Sequence, residues 1–147
     1  MTVENLADII KTIVPYHIYV GDLSPYAVQS IETGRSNYPV QNLLTYLQDM
    51  KLRLVMKDMA TEDRFEPVTV LDVHKVIRLL MDRYNIDNKL VYRKTGIHYT
   101  APKNIRVDAK ECSGKGEDDV KYMTSLSIKT LLAVCEVIHC DLLILSD

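Results

Sequence analysis

The sequence predicts a mainly α-helical protein made of two tandem copies of one helical unit, each ending in a short β-strand. Both halves carry apolar residues at positions i, i+3, i+4 and i+7, which line one face of a helix. These residues are Leu6, Ile9, Ile10 and Ile13, then Val73, Val76, Ile77 and Leu80. Each half also ends in a leucine-rich helical pattern followed by an apolar strand pattern, so the unit is duplicated.

The composition restricts the class of protein. The 147 residues suffice for one domain or for two small ones of about 60 to 75 residues. With 18 basic and 20 acidic residues, the net charge of −2 gives no general attraction to DNA, so any nucleic-acid site must be local. Three cysteines, an odd number, are typical of a reducing compartment. Because no signal peptide or membrane-spanning run is apparent, we expect a cytoplasmic protein.

The first copy covers residues 1–58 and contains the clearest local signals. Ser24 and Pro25 predict the start of a helix, because Ser accepts from unpaired amide groups and Pro tolerates the first helical position. Gly34 predicts its end. We expect Ala27, Val28 and Ile31 to face inward, and Tyr26, Gln29 and Ser30 to face outward.

A third helix and a strand complete this copy. Apolar residues at helical spacing continue from Val40 to a helix end near Met50. Residues 52–57 then alternate as in a short strand.

Residues 23–56, LSPYAVQSIETGRSNYPVQNLLTYLQDMKLRLVM, resemble the phage-repressor or Cro-like (XRE-type) helix-turn-helix family. Ile31, Glu32 and Gly34 match the turn that ends the recognition helix in that family, and Pro39 precedes the matching leucine-rich helix. The resemblance implies a lambda-repressor-like bundle and a DNA-binding transcriptional regulator that reads the major groove.

The second copy covers residues 71–147 and follows a linker at residues 59–70. We expect a first helix, a turn at residues 84–87, a second helix around residues 89–95, and a third helix opening near Thr100. The spacing between matching positions is 74 residues early in the copy (97 − 23) and 88 later (128 − 40). This change predicts a loop insertion near residues 107–124.

Both copies depart from the family pattern. The first has a shortened second helix, whereas the second lacks the Ile-Glu-x-Gly turn. From Lys89 to Lys115 there are seven basic and two acidic residues, a local balance of +5 (7 − 2), which favours the second copy as the main DNA surface. The alternative is a solvated face balanced by Glu117, Asp118 and Asp119.

The predicted DNA contacts fall into three groups. Major-groove contacts are expected from Tyr99, Thr100, Lys103 and Asn104. Phosphate contacts are expected from Arg93, Lys94, Arg106 and Lys110. The first copy could add Tyr26, Gln29, Ser30 and Arg35.

Two questions about partners stay open. The strands at residues 52–57 and 142–146 could pair within one chain, giving an intramolecular pseudo-dimer, or between two chains, giving a homodimer. The fold could also serve as a protein-interaction module, antitoxin-like or a dimerisation partner, that has lost DNA binding. We expect no enzyme, cofactor or metal, because Cys135 and Cys140 align with core positions and no nucleophile is spaced with a histidine.

Overall fold

The computed structural model describes residues 1–15, 18–99 and 125–146, which form six α-helices and one three-stranded sheet. The helices are α1 (Val3–Ile13), α2 (Pro25–Thr33), α3 (Val40–Asp49), α4 (Val70–Arg83), α5 (Asn88–Thr95) and α6 (Ile128–Val137). The strands are β1 (Leu52–Asp58), β2 (Arg64–Phe65) and β3 (Cys140–Ser146), in the antiparallel order β2-β1-β3. The fold is therefore mixed, with helices predominant. The prediction of a mainly α-helical protein is confirmed in part. None of these helices is long and apolar enough to cross a membrane.

The helix boundaries follow the local signals in the sequence. Ser24 accepts a hydrogen bond from the Ala27 amide at the start of α2, and Pro25 occupies its first position. Gly34 ends α2 with φ of +65°, a left-handed conformation that glycine adopts at little cost. A Cβ atom on Gly34 would lie 2.7 Å from the Glu4 Cα atom, so glycine also permits close packing of α2 on α1.

The sheet joins the two copies within one chain. All seven residues of β1 pair with β3, from Leu52 opposite Ser146 to Asp58 opposite Cys140. At the centre of this ladder Val55 lies opposite Leu143, its equivalent 88 residues later (143 − 55). The strands thus pair intramolecularly, which is the first of the two arrangements left open by the sequence.

A second pairing of equivalent residues occurs just before α3 and α6. Pro39 and Ser127, again 88 residues apart (127 − 39), form an isolated antiparallel bridge. The flanking residues exchange reciprocal main-chain hydrogen bonds of 2.8 Å: Val40 N–H to Leu126 C=O, and Ile128 N–H to Tyr38 C=O. Such reciprocity is the property of a two-fold axis, so a pseudo-two-fold axis relates the closing halves of the two copies.

Both copies contribute to one apolar core. The faces predicted from helical spacing in α1 and α4 point into it, and the apolar residues of α3, α6, β1 and β3 fill it from the other side. Side chains with no measurable exposure come from both copies: Leu6, Ile31, Leu43, Ile77, Leu80, Ile128 and Leu131. Each copy therefore depends on the other for burial of its apolar surface.

The segment predicted as a linker, residues 59–70, packs against the first copy. Its short strand β2 pairs with β1, with Phe65 opposite Met56, and Pro67 is buried. Just before this segment, the fully buried Asp58 carboxylate accepts hydrogen bonds from Arg83 (2.6 Å) and Tyr84 (2.6 Å) at the end of α4. The two copies are thus also joined by a charge pair in which the carboxylate is buried and Arg83 is partly exposed.

Candidate nucleic-acid interface

Helix α5 presents most of its surface to solvent. Asp87 begins the helix by accepting a hydrogen bond of 2.8 Å from the Leu90 amide, and Gly96 ends it with φ of +71°. Only Val91 is fully buried within α5, which packs against α6. The remaining side chains are exposed or half-buried, as expected of a helix at the protein surface.

The exposed side of α5 is cationic. Lys89 and Arg93 are one helical turn apart and both are exposed, and residues 88–99 contain no Asp or Glu. Neither of these two cations, nor the adjacent Lys94, forms a salt bridge with any residue that the structure describes. Cations without counter-charges on a protein surface favour binding of a polyanion.

Two aromatic rings lie beside these cations. The rings of Tyr92 and His98 stack with their centroids 4.1 Å apart and their planes 18° from parallel. Both side chains are exposed, and they line an open cleft of about 480 Å³ together with Lys89 and Arg93. We refer to Lys89, Tyr92, Arg93 and His98 as the α5 surface.

Lys94 lies in a different groove from Arg93, although both were predicted to hold phosphate. Its groove lies between α5 and α6 and includes Glu136 and His139. The structure therefore brings Arg93 together with Lys89, which the sequence analysis had not selected as a contact. The i, i+4 spacing of these two residues on a helix was the signal that could have identified Lys89.

Tyr99 does not have the role predicted for it. Only 4% of its surface is exposed, and its ring stacks on that of His74. The Ser125 carbonyl can only accept, so His74 donates to it from Nε2–H (3.3 Å) and accepts at Nδ1 from the Tyr99 hydroxyl (2.8 Å). Burial lowers the pKa of His74, so this neutral tautomer is favoured. Tyr99 thus belongs to the core, and although it borders the cleft beside the α5 surface, its hydroxyl is bonded to His74.

The first copy requires one further correction. Ser30 is buried, and its hydroxyl donates to the Tyr26 carbonyl (3.0 Å) and accepts from Ser36 (3.0 Å), so it does not face outward as predicted. Tyr26, Gln29 and Arg35 are exposed as expected.

The predicted contacts Thr100, Lys103, Asn104, Arg106 and Lys110, and the predicted insertion at residues 107–124, lie outside the described residues.

The first copy has no counterpart of the α5 surface among the described residues 18–24, which contain no helix between α1 and α2. Tyr19 is fixed there by stacking on Tyr46 and by a hydrogen bond to Asp49. Its neighbours Ile18 and Val20 are 86% and 78% exposed. The exposed side chains of residues 18–24 are therefore mainly apolar, with Asp22 as the charged residue, whereas those of α5 are cationic.

Within the described ranges, no group of three or more His, Cys, Asp or Glu side chains could hold a metal ion. Cys135 and Cys140 are buried, as their alignment with core positions predicted. Comparison of the chain with protein-family models, with curated proteins and with solved structures found no match.

Proposed function

We propose that this chain is a DNA-binding transcriptional regulator made of two tandem lambda-repressor-like helix-turn-helix bundles, with the second copy as the main contact. The connection of α4 to α5 supports this reading, because the four residues 84–87 match the turn expected between the first and second helices of such a bundle. In the helix-turn-helix motif the first helix of the pair lies across the DNA backbone, and the helix that follows it enters the major groove. By the family resemblance, α5 is the second helix of the bundle and therefore the one that crosses the backbone, and the helix expected to open near Thr100 would enter the groove.

The observation that carries the proposal is the α5 surface, where two cations without a salt bridge to any described residue lie beside a stacked ring pair. Lys89 and Arg93 would contact phosphate oxygens and release condensed counterions from the duplex. The exposed hydroxyl-bearing ring of Tyr92 supplies a further hydrogen bond to the sugar-phosphate backbone. Contacts of this kind determine how the protein is positioned on DNA and leave sequence reading to other residues.

A gel-shift assay tests this function. The duplex probes are the DNA upstream of the protein's own gene and a random duplex of equal length, at low and moderate salt. We expect a shift with both at low salt, and retention of only the upstream probe as salt rises. No shift with either duplex at low salt would contradict DNA binding.

A second candidate function is a protein-interaction module, and the exposed apolar residues of the first copy favour it. Ile18, Val20 and Tyr26 are 86%, 78% and 73% exposed, and exposed apolar side chains that form one contiguous patch mark contact sites. A photo-crosslinking amino acid at position 26 tests this candidate in cells. A crosslinked partner protein, together with a negative gel shift, would favour it over DNA binding.

A further inference from the structure

In a symmetric homodimer, a residue on the two-fold axis meets its own copy in the other chain. Here, pairs of equivalent residues meet within a single chain. Pro39 meets its equivalent Ser127, and Val55 meets its equivalent Leu143, on the same pseudo-two-fold axis. In a homodimer, each of these pairs would consist of one residue and its copy in the other chain. The chain therefore has the geometry of a dimer while containing a single polypeptide.

This intramolecular pairing occupies the surfaces that would otherwise join two chains. Strand β1 pairs with β3 on one edge and with β2 on the other. The side chain of Asn37 in the first copy accepts a hydrogen bond of 3.1 Å from the Lys129 amide, and so caps helix α6 of the second copy. These contacts and the common core stabilise the pair of copies without a second chain.

The α5 stretch and the stretch that corresponds to it in the first copy differ in charge. Residues 88–99 of the second copy contain three basic residues and no acidic ones. By the 74-residue offset, residues 14–25 of the first copy correspond to them (88 − 74 and 99 − 74) and contain Asp22 with no Lys or Arg. Phosphate would be attracted to the first of these stretches and weakly repelled by the second.

From these two facts we infer that the chain binds duplex DNA as a monomer, at a single site without two-fold symmetry. This inference rests on the proposed function. A homodimeric regulator places equal recognition units on two half-sites about 34 Å apart, and its operator has matching symmetry. A chain with a single cationic face cannot make a second, symmetric contact with DNA. We therefore expect its DNA site to lack two-fold symmetry and to span about one turn of duplex, roughly 10 base pairs.

Sedimentation equilibrium and a binding selection test the inference. The free chain should sediment at its own mass of 16.8 kDa. Selection from a pool of random duplexes should yield a sequence without inverted symmetry. Titration of that duplex, at concentrations above its dissociation constant, should saturate at one chain per duplex.

A matched pair of probes sharpens this test. One duplex carries the selected site once, and the other carries it twice as an inverted repeat with centres about 10.5 base pairs apart. The monomer model predicts that the two sites of the repeat fill independently, each with the affinity of the single site.

The possible failures are distinguishable. Cooperative filling of the repeat by two chains, or a palindromic selected sequence, would overturn the monomer inference and leave DNA binding intact. A free chain of twice the mass, joined for example through the outer edge of β3, would also overturn it. If the chain binds no duplex DNA at low salt, both this inference and the proposed function are wrong.

Discussion

Val55 lies directly opposite Leu143 in the β1–β3 ladder, and each residue is the other's equivalent in the repeat. Because side chains alternate along a strand, Val55 points away from the face that Leu54 and Met56 present to the main core. It is nevertheless only 1% exposed. Val55 is therefore buried on the second face of the sheet at the pseudo-two-fold axis, beside the half-buried Leu143.

Truncation of Val55 should destabilise the whole chain. Val55→Ala removes two buried carbon atoms at the axis and should lower the free energy of unfolding by about 2 kcal/mol. Val20→Ala is the matched control, because Val20 is 78% exposed, and it should change stability by less than about 0.5 kcal/mol. Urea denaturation followed by circular dichroism gives both values. Equal losses of stability in Val55→Ala and Val20→Ala would contradict the burial of Val55 at the axis.

The two glycines that end α2 and α5 provide a second matched comparison. Both have positive φ, but a Cβ atom would collide with the backbone of α1 at Gly34 and would meet nothing within 4 Å at Gly96. Gly96→Ala should cost about 1 kcal/mol, which is the conformational penalty alone. Gly34→Ala should cost at least about 2 kcal/mol more, because overpacking against backbone is added. Thermal denaturation gives the stability of each variant. Similar losses of stability in Gly34→Ala and Gly96→Ala would contradict this account.

Asp58 should contribute strongly to stability, in a pH-dependent way. Burial alone would raise its pKa, but hydrogen bonds from Tyr84, the Ala60 amide and Arg83 outweigh burial and hold the pKa well below its usual range. Asp58→Ala removes the acceptor of hydrogen bonds from Arg83, the Tyr84 hydroxyl and the Ala60 amide, and should cost about 2 kcal/mol. Removal of the more exposed Asp63, which also contacts Arg83, should cost under about 1 kcal/mol.

The sign of the pH dependence follows from the lowered pKa of Asp58. Its contribution is complete above about pH 4, the ordinary carboxyl pKa, and is lost as pH falls through the lower value of the folded state. Acid unfolding of the Asp58→Ala variant should therefore be less steep than that of the natural sequence. Parallel acid-unfolding curves would show that this carboxylate does not have the lowered pKa.

His74 should make stability fall in mildly acidic solution. Burial lowers its pKa in the folded chain, so the unfolded chain, with a pKa of about 6.5, binds more protons below that pH. Stability due to His74 is therefore complete above about pH 6.5 and declines as pH falls below it. His74→Gln should remove this part of the decline, measured by urea denaturation between pH 7.5 and pH 5. An unchanged slope in the variant would exclude a buried neutral His74.

Much of the fold was predictable because its signals are local. Ser24, Pro25 and Gly34 determine the ends of α2 through their own hydrogen bonds and backbone preferences. The 88-residue offset predicted that the strands were equivalent, but could not determine whether they pair within a chain or between chains. That choice depends on the geometry of the connection through residues 59–70, which no local pattern encodes.

The site was less predictable because burial of polar side chains depends on distant partners. Tyr99 stacks on His74, which is 25 positions earlier in the chain. Ser30 is a different case, because its hydroxyl is satisfied locally by the Tyr26 carbonyl of its own helix. The separation of Arg93 from Lys94 was predictable, since consecutive residues on a helix point in directions about 100° apart. Lys89 could have been selected with Arg93 on the same argument.

The salt dependence of DNA binding by two charge-reversal variants tests the central claim most directly. Lys89→Glu reverses a cation of the α5 surface, and the acidic side chain suits the start of a helix, so folding should be preserved. Lys11→Glu is the same change at an exposed position in the last turn of α1. Fluorescence anisotropy with a labelled duplex gives the dissociation constant at each salt concentration.

If the α5 surface contacts phosphate, Lys89→Glu should weaken binding by roughly tenfold at moderate salt. It should also reduce the slope of log K against log salt by about 1, the contribution of one phosphate contact. Lys11→Glu should leave the slope unchanged. Equal loss of affinity in both variants, or an unchanged slope in Lys89→Glu, would contradict the assignment of this surface to DNA.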